Sequence, residues 1–182
     1  MSAIVSFEHI SMCWNAYDVK PFAFDNTMEV SEKEPLEHLT AWTATVARGA
    51  PGGTLKALVI NSHGIYAYNY KSTLDSAGGI PRISGGYGMK IGDGGIGPDN
   101  AVTLFKTLKG LIRKIHRYGC GLADSYTPLE TGFPSPLCQV IADASGTIVV
   151  AADSLQPDVQ GPGLNMAPPM VGRVMRFTPS AS

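Results

Sequence analysis

Three apolar runs, at residues 55–61, 112–118 and 147–152, constrain the fold of this chain most. Each has the length and β-branched content of a buried strand, and each is bounded by turn residues. The segments between them carry helical spacing. Val102, Phe105, Leu108 and Leu111 follow Pro98-Asp99-Asn100, where Asp99 or Asn100 reads as the N-cap. Residues 135–145 read as a second helix, closed by Gly146. Ahead of the first run, Leu36, Leu39, Thr43 and Val46 share one face of a helix over 35–47, with Pro35 in its first turn. Strand alternating with helix is the rhythm of a parallel sheet with crossover helices. The three runs are therefore expected to be adjacent parallel strands, joined by the helices at about 99–110 and 135–145.

The remaining segments read less sharply. Residues 3–12 alternate loosely and suggest a first strand, whereas 13–34 show no clear period. Two short strands are expected near 65–70 and 87–91, the second ending at the turn Gly92-Asp93-Gly94-Gly95. Residues 170–177 suit an edge strand. Glycine (21) and proline (13) gather in 49–53, 78–98 and 157–169, which marks these stretches as loops. With no internal repeat and no low-complexity linker, residues 1–182 read as one domain.

Composition narrows the function classes. Of 182 residues, 44% are apolar and 16% charged, which is the balance of a globular chain. A net charge of −1 gives no bulk field for nucleic acid or an anionic membrane. The apolar stretches are too short to span a bilayer. No basic region followed by a long apolar core opens the sequence, so a cytoplasmic protein, or one exported by a signal-independent route, is expected. Cys13, Cys120 and Cys138 are too few, and odd in number, for a disulfide framework. Their spacing with histidine does not suggest zinc, and no cofactor is expected.

The chemistry concentrates where two of the runs end. Ser62-His63-Gly64 closes the first and Tyr118-Gly119-Cys120 the second. In an open parallel sheet, the carboxyl ends of neighbouring strands share one crevice. That layout sets an imidazole beside a thiol, as a Cys-His nucleophilic pair requires: the thiolate is the nucleophile and the imidazole takes its proton. Gly64 is the expected oxyanion donor, because a glycine lets the backbone N–H approach a substrate carbonyl closely.

The succession of strand–Ser-His-Gly, glycine-rich hairpin, helix, strand–Tyr-Gly-Cys, helix and strand–Ala-Ala-Asp-Ser resembles the caspase-like cysteine peptidases of clan CD. It is most similar to an uncharacterised caspase-like module of large bacterial surface proteins. The segments that carry the likeness are Asn61-Ser62-His63-Gly64, Arg117-Tyr118-Gly119-Cys120-Gly121-Leu122-Ala123 and Gly146-Thr147-Ile148-Val149-Val150-Ala151-Ala152-Asp153-Ser154, within about 55–156. The histidine precedes the cysteine by a span close to the roughly 50 residues found in caspases. The resemblance implies an α/β fold, a caspase-like three-layer α/β/α sandwich with a mostly parallel central sheet. It also implies a cysteine endopeptidase acting on a protein or peptide substrate, with His63 as general base or imidazolium and Cys120 as nucleophile. Gly119-Cys120 stands where many such peptidases carry Ala-Cys, and residues 124–133 lengthen the loop after the cysteine.

Caspase-like folds often place substrate-pocket residues after the strand beyond the cysteine, where this chain has Asp153. Asp124, four residues past Cys120, is a second acidic candidate. A carboxylate at the pocket base would select a basic residue before the scissile bond. The alternative for Asp153 is a strand-end cap. Lys106, Lys109, Arg113, Lys114, His116 and Arg117 form a basic run that reads as a solvated face rather than a nucleic-acid surface. The glycines of 92–97 lack the Gly-Lys-Ser/Thr ending of a phosphate loop and read as a hairpin turn. Two other functions fit the same residues: a caspase-like domain that binds or assembles without cleaving, and a small α/β hydrolase or transferase using the same cysteine.

Overall fold

The computed structural model describes residues 4–65, 86, 88–123 and 137–181. Its centre is a mixed sheet built from β2 (Met12–Ala16), β3 (Asn26–Val30), β4 (Leu58–Asn61), β7 (Lys114–Tyr118), β8 (Ile148–Ala152) and β10 (Val174–Phe177). The strand order is β10-β8-β7-β4-β2-β3, parallel throughout except for β10, which runs antiparallel on β8 at the edge. Two small ladders flank it. In one, β1 (Val5–Ser6) pairs with β9 (Met166–Ala167). In the other, β5 (His63–Ile65) pairs with β6 (Gly88–Lys90). The fold is α/β with a mostly parallel central sheet, and β4, β7 and β8 are adjacent and parallel, as the three apolar runs predict.

Among the described residues three α-helices connect the strands: α1 (Leu36–Gly49), α2 (Pro98–Lys106) and α3 (Leu137–Ser145). From β3 to β4, β7 and β8 the chain steps across the sheet in one direction only. Crossovers of one hand that all step the same way put their helices on one face. Leu39 and Ala47 of α1, Leu104 and Phe105 of α2, and Cys138 and Ile141 of α3 accordingly share one core. The sheet supplies Trp14, Ile60, Ile115 and Val149 to that core. The residues between them point the other way. Cys13, Val59, Tyr118 and Ala152 form a second core with Phe22, Phe24, Ala167 and Met170, which extended segments contribute. Among the described residues, the sheet thus lies between a helical layer and a layer of extended chain.

Element boundaries follow local chemistry. Pro35 is the N-cap of α1. For α2 the expected N-cap moves: Gly97 takes that position, Pro98 starts the helix, and Asn100 reaches back to accept the Gly97 N–H at 2.9 Å. The helix ends at Lys106, ahead of Gly110, whose φ of 79° turns the chain toward β7. Gly146 closes α3 at φ 65°. The hairpin of β5 and β6 takes the place of the two strands expected near 65–70 and 87–91; residues 66–70 and 87 lie outside the described residues. The first strand of the sheet is 12–16 rather than 3–12. Every residue of Met12–Ala16 is buried, so the strand carries no period-two signal.

Candidate functional site

β4 and β7 end together. The Ser62 N–H donates to the Tyr118 carbonyl at 3.0 Å, so the pairing of the two strands extends one residue past their ends. Gly119 then passes so close to the Ser62 carbonyl that a Cβ there would lie 2.3 Å from its oxygen. Only glycine permits this approach, which brings Ser62-His63 beside Gly119-Cys120.

A cleft opens at this point, holding about 490 Å³ of empty space including its mouth. His63 and Cys120, both half-buried, line it together with Ser62 and Gly119. It lies outside the carboxyl ends of β4 and β7. The chain after β2 supplies Val19 and Phe22 to its wall. Beside β2 the strand order turns, since β3 lies on one side of it and β4, β7 and β8 on the other. That is where open α/β sheets hold ligands.

The polar groups have defined partners. His63 Nε2 lies 3.3 Å from the Asp18 carbonyl. A carbonyl only accepts, so Nε2 carries the proton and Nδ1 is the basic nitrogen. The Cys120 thiol faces the Gln156 carbonyl, with Sγ 3.8 Å from the oxygen. Gln156 is itself fixed, because its amide exchanges two hydrogen bonds of 2.8 Å with the Val171 backbone. Asp18 is held by Lys90 Nζ at 2.6 Å, and Lys90 faces His63 across the β5–β6 ladder. This pairing with Asp18 raises the Lys90 pKa, against the opposing pull of burial.

Beneath the cleft a buried amide holds the loop that carries Asp18. Asn15 Oδ1 accepts the Phe22 N–H at 3.0 Å, and its Nδ2 donates to the Phe22 carbonyl at 2.9 Å and to Glu29 at 3.0 Å. Asn61, which lines the cleft, donates to Asn15 Oδ1 at 3.1 Å and to the Lys20 carbonyl at 3.0 Å. Residues 17–25 cross the sheet end on these bonds.

The other residues expected at the site fall as follows. Gly64 lies in β5 opposite Met89 rather than among the cleft's lining residues. Asp153 directly follows β8 and also stands apart from the lining. Its carboxylate accepts from the Arg173 N–H and the Ser154 hydroxyl, both at 3.0 Å, with Arg173 Nε at 3.3 Å. Burial would raise its pKa, but the Ser154 and Arg173 contacts outweigh that and hold it below the ordinary aspartate value. Asp124 lies outside the described residues. Among the described residues the carboxylate at the cleft is Asp158, an exposed residue whose Oδ1 accepts the Lys20 N–H at 2.8 Å. Phe22, Gln156 and Asp158 escape the sequence reading, and Asn61 enters it only as the start of the segment Asn61-Ser62-His63-Gly64. Of the first three only Asp158 carries a sequence signal, as part of the Pro/Gly-rich stretch at 157–169, some of which forms the cleft's outer wall.

Among the described residues no three His, Cys, Asp or Glu side chains converge as a metal site, and no helix is long and apolar enough to cross a membrane. Comparisons with protein-family models, with curated proteins and with solved structures give no match.

Proposed function

We propose that the chain is a cysteine endopeptidase with His63 and Cys120 as its dyad. The observation that carries this reading is their placement on one cleft, at the ends of adjacent parallel strands, with no partner for Nδ1 of His63 among the described residues. In the reaction the Cys120 thiol passes its proton to His63 and the sulfur attacks the scissile carbonyl. The imidazolium returns that proton to the amine leaving group as the peptide bond breaks. Water, deprotonated by His63, then attacks the thioester; the carboxylic acid leaves and the Cys120 thiol is restored.

The proposed preference for a basic residue before the scissile bond now rests on Asp158. Its Oδ2 can meet a substrate lysine or arginine at the mouth of the cleft, whereas Asp153 is engaged by Arg173.

A peptide acyloxymethyl ketone tests the dyad. Labelling at Cys120, lost in Cys120→Ala and reduced at least tenfold in His63→Ala, supports it. Cys13 and Cys138 are fully buried and stay unlabelled. A folded chain in which the probe leaves Cys120 untouched, and which cleaves no member of a peptide library, refutes the reading. In the same library Asp158→Asn is expected to weaken a preference for lysine or arginine, while Asp153→Asn leaves it in place.

A further inference from the structure

His63 belongs to a closed circuit of contacts. Its Nε2 lies 3.3 Å from the Asp18 carbonyl, the Asp18 carboxylate lies 2.6 Å from Lys90 Nζ, and Lys90 stands opposite His63 in the β5–β6 ladder. Residues opposite one another in an antiparallel pair project from the same face. Lys90 and His63 thus leave the ladder together, and both side chains reach Asp18: one through its carboxylate, the other through its carbonyl.

The two ends of the circuit are anchored unequally. β6 is rooted in the core: Met89 is 0% exposed, and its N–H and carbonyl pair with Ile96 at 2.8 and 2.9 Å. Ile91, on the other side of Lys90, is buried as fully. Asp18, by contrast, lies in the turn after β2, within the crossing at 17–25. The ion pair ties that turn to β6, and the direction of the Asp18 carbonyl follows from where the turn is held.

An exposed ion pair between mobile side chains would hold nothing. This one is better placed. The Lys90 and Asp18 side chains are 31% and 22% exposed, and Nζ also sits over the Tyr17 ring, 5.3 Å from its centroid. Neighbouring residues of one turn therefore grip the ammonium from two directions. The rise in the Lys90 pKa, caused first by its bond to Asp18, agrees with a charge that stays in place.

We infer that Lys90 is a positioning residue for His63: its ion pair with Asp18 aims the Asp18 carbonyl at Nε2 and so fixes the ring in the tautomer that keeps Nδ1 basic. With the proton on Nδ1 instead, that nitrogen could not accept one from a thiol. The inference rests on the reading of His63 as the base of the dyad, but its test does not need turnover.

The tautomer is read by long-range nitrogen–proton correlation NMR of the full chain in alkaline buffer, where an imidazole is neutral. The chain has four histidines, and the signal lost in His63→Gln assigns the ring. Wild type is expected to show mainly the Nε2–H form. Lys90→Met and Asp18→Ala each remove the ion pair, and the second leaves the Asp18 carbonyl in the chain, so its effect comes through placement alone. Each is expected to raise the ratio of the Nδ1–H to the Nε2–H form about fivefold, the worth of one hydrogen bond. Lys90→Arg keeps the pairing charge and is expected to hold the wild-type ratio. Asp18→Ala decides the matter if Lys90→Met does not fold. A wild-type ring mainly in the Nδ1–H form overturns the inference without any variant. A ratio unmoved in Asp18→Ala overturns it too, as does a Lys90→Arg ratio that moves as far as that of Lys90→Met. A chain that cleaves nothing while its ratio moves as stated loses the peptidase reading and keeps this one. Cleavage with an unmoved ratio does the reverse.

Discussion

Gly119 has no room for a side chain, and the obstacle is backbone: a Cβ would meet the Ser62 oxygen at 2.3 Å and a Leu122 methyl at 2.9 Å. A flexible side-chain end can move aside, but a carbonyl in the ladder between β4 and β7 cannot without parting the strands. Gly119→Ala is expected to cost about 1–3 kcal/mol in urea unfolding and to move Cys120 away from His63, so that alkyl-ketone labelling falls with stability. An alanine variant as stable and as reactive as wild type would show that the strand ends are not held by this contact. His63 and Cys120 are legible in the sequence because each lies two residues past the end of a strand, and parallel strands present their ends together. Gln156 and Asp158 are not legible, because a loop places them and loop position depends on remote partners. Asp158 is held by Lys20, and the Gln156 side chain by Val171. Arg117 misleads for a related reason. In the basic run it looks solvated like Arg113, yet the strand's alternation turns it inward with Ile115.

Among the elements, β2 is the one the sequence hides and the site most needs. Asn15 interrupts its apolar character, yet it is 0% exposed and holds Phe22 and Asn61. It does for the chain at 17–25 what a neighbouring strand would do, exchanging both hydrogen bonds with the Phe22 backbone. That crossing carries Asp18, whose carbonyl orients His63. Asn15→Ala removes partners from a buried N–H and a buried amide, and is expected to cost about 2–4 kcal/mol in urea unfolding. Turnover should fall further than the loss of folded protein explains, since the His63 ring loses its support. Equal loss of turnover and of folded protein would mean that the crossing does not position His63. The long apolar strands and the three helices are legible because periodicity reports burial on one or both faces. Strands 12–16 and 26–30 are not: the first is buried on both sides, and the second is a polar edge strand whose alternation is Asn-Thr-Met-Glu-Val.

For the molecule as a whole, the described helices all lie on one face of the sheet, the described cover of the second face is extended chain, and that face holds His116. His116 projects from β7 on the side of Tyr118, with the Phe7 ring edge-on at 5.0 Å. Burial, with the nearby Lys114 charge second, lowers its pKa from 6.5 to about 4. The unfolded chain therefore binds a proton between about pH 6.5 and 4 that the folded chain refuses, and stability rises with pH across that window. The penalty is absent above about 6.5, grows as the pH falls, and is complete below about 4, where it reaches at most about 3 kcal/mol. Asp143 and Asp153 act lower. Their folded pKa values are depressed, so their contribution is present above the unfolded value near 3.9 and is lost as the pH falls through the folded one. Stability is therefore expected to fall over two pH ranges, with His116 governing the upper. His116→Phe keeps an aromatic ring against Phe7 and removes the titration. Urea unfolding of wild type is expected to weaken between pH 6.5 and 4.5, while the phenylalanine variant stays level over that range and weakens only below it. Equal slopes in the two proteins would assign the upper range to another group.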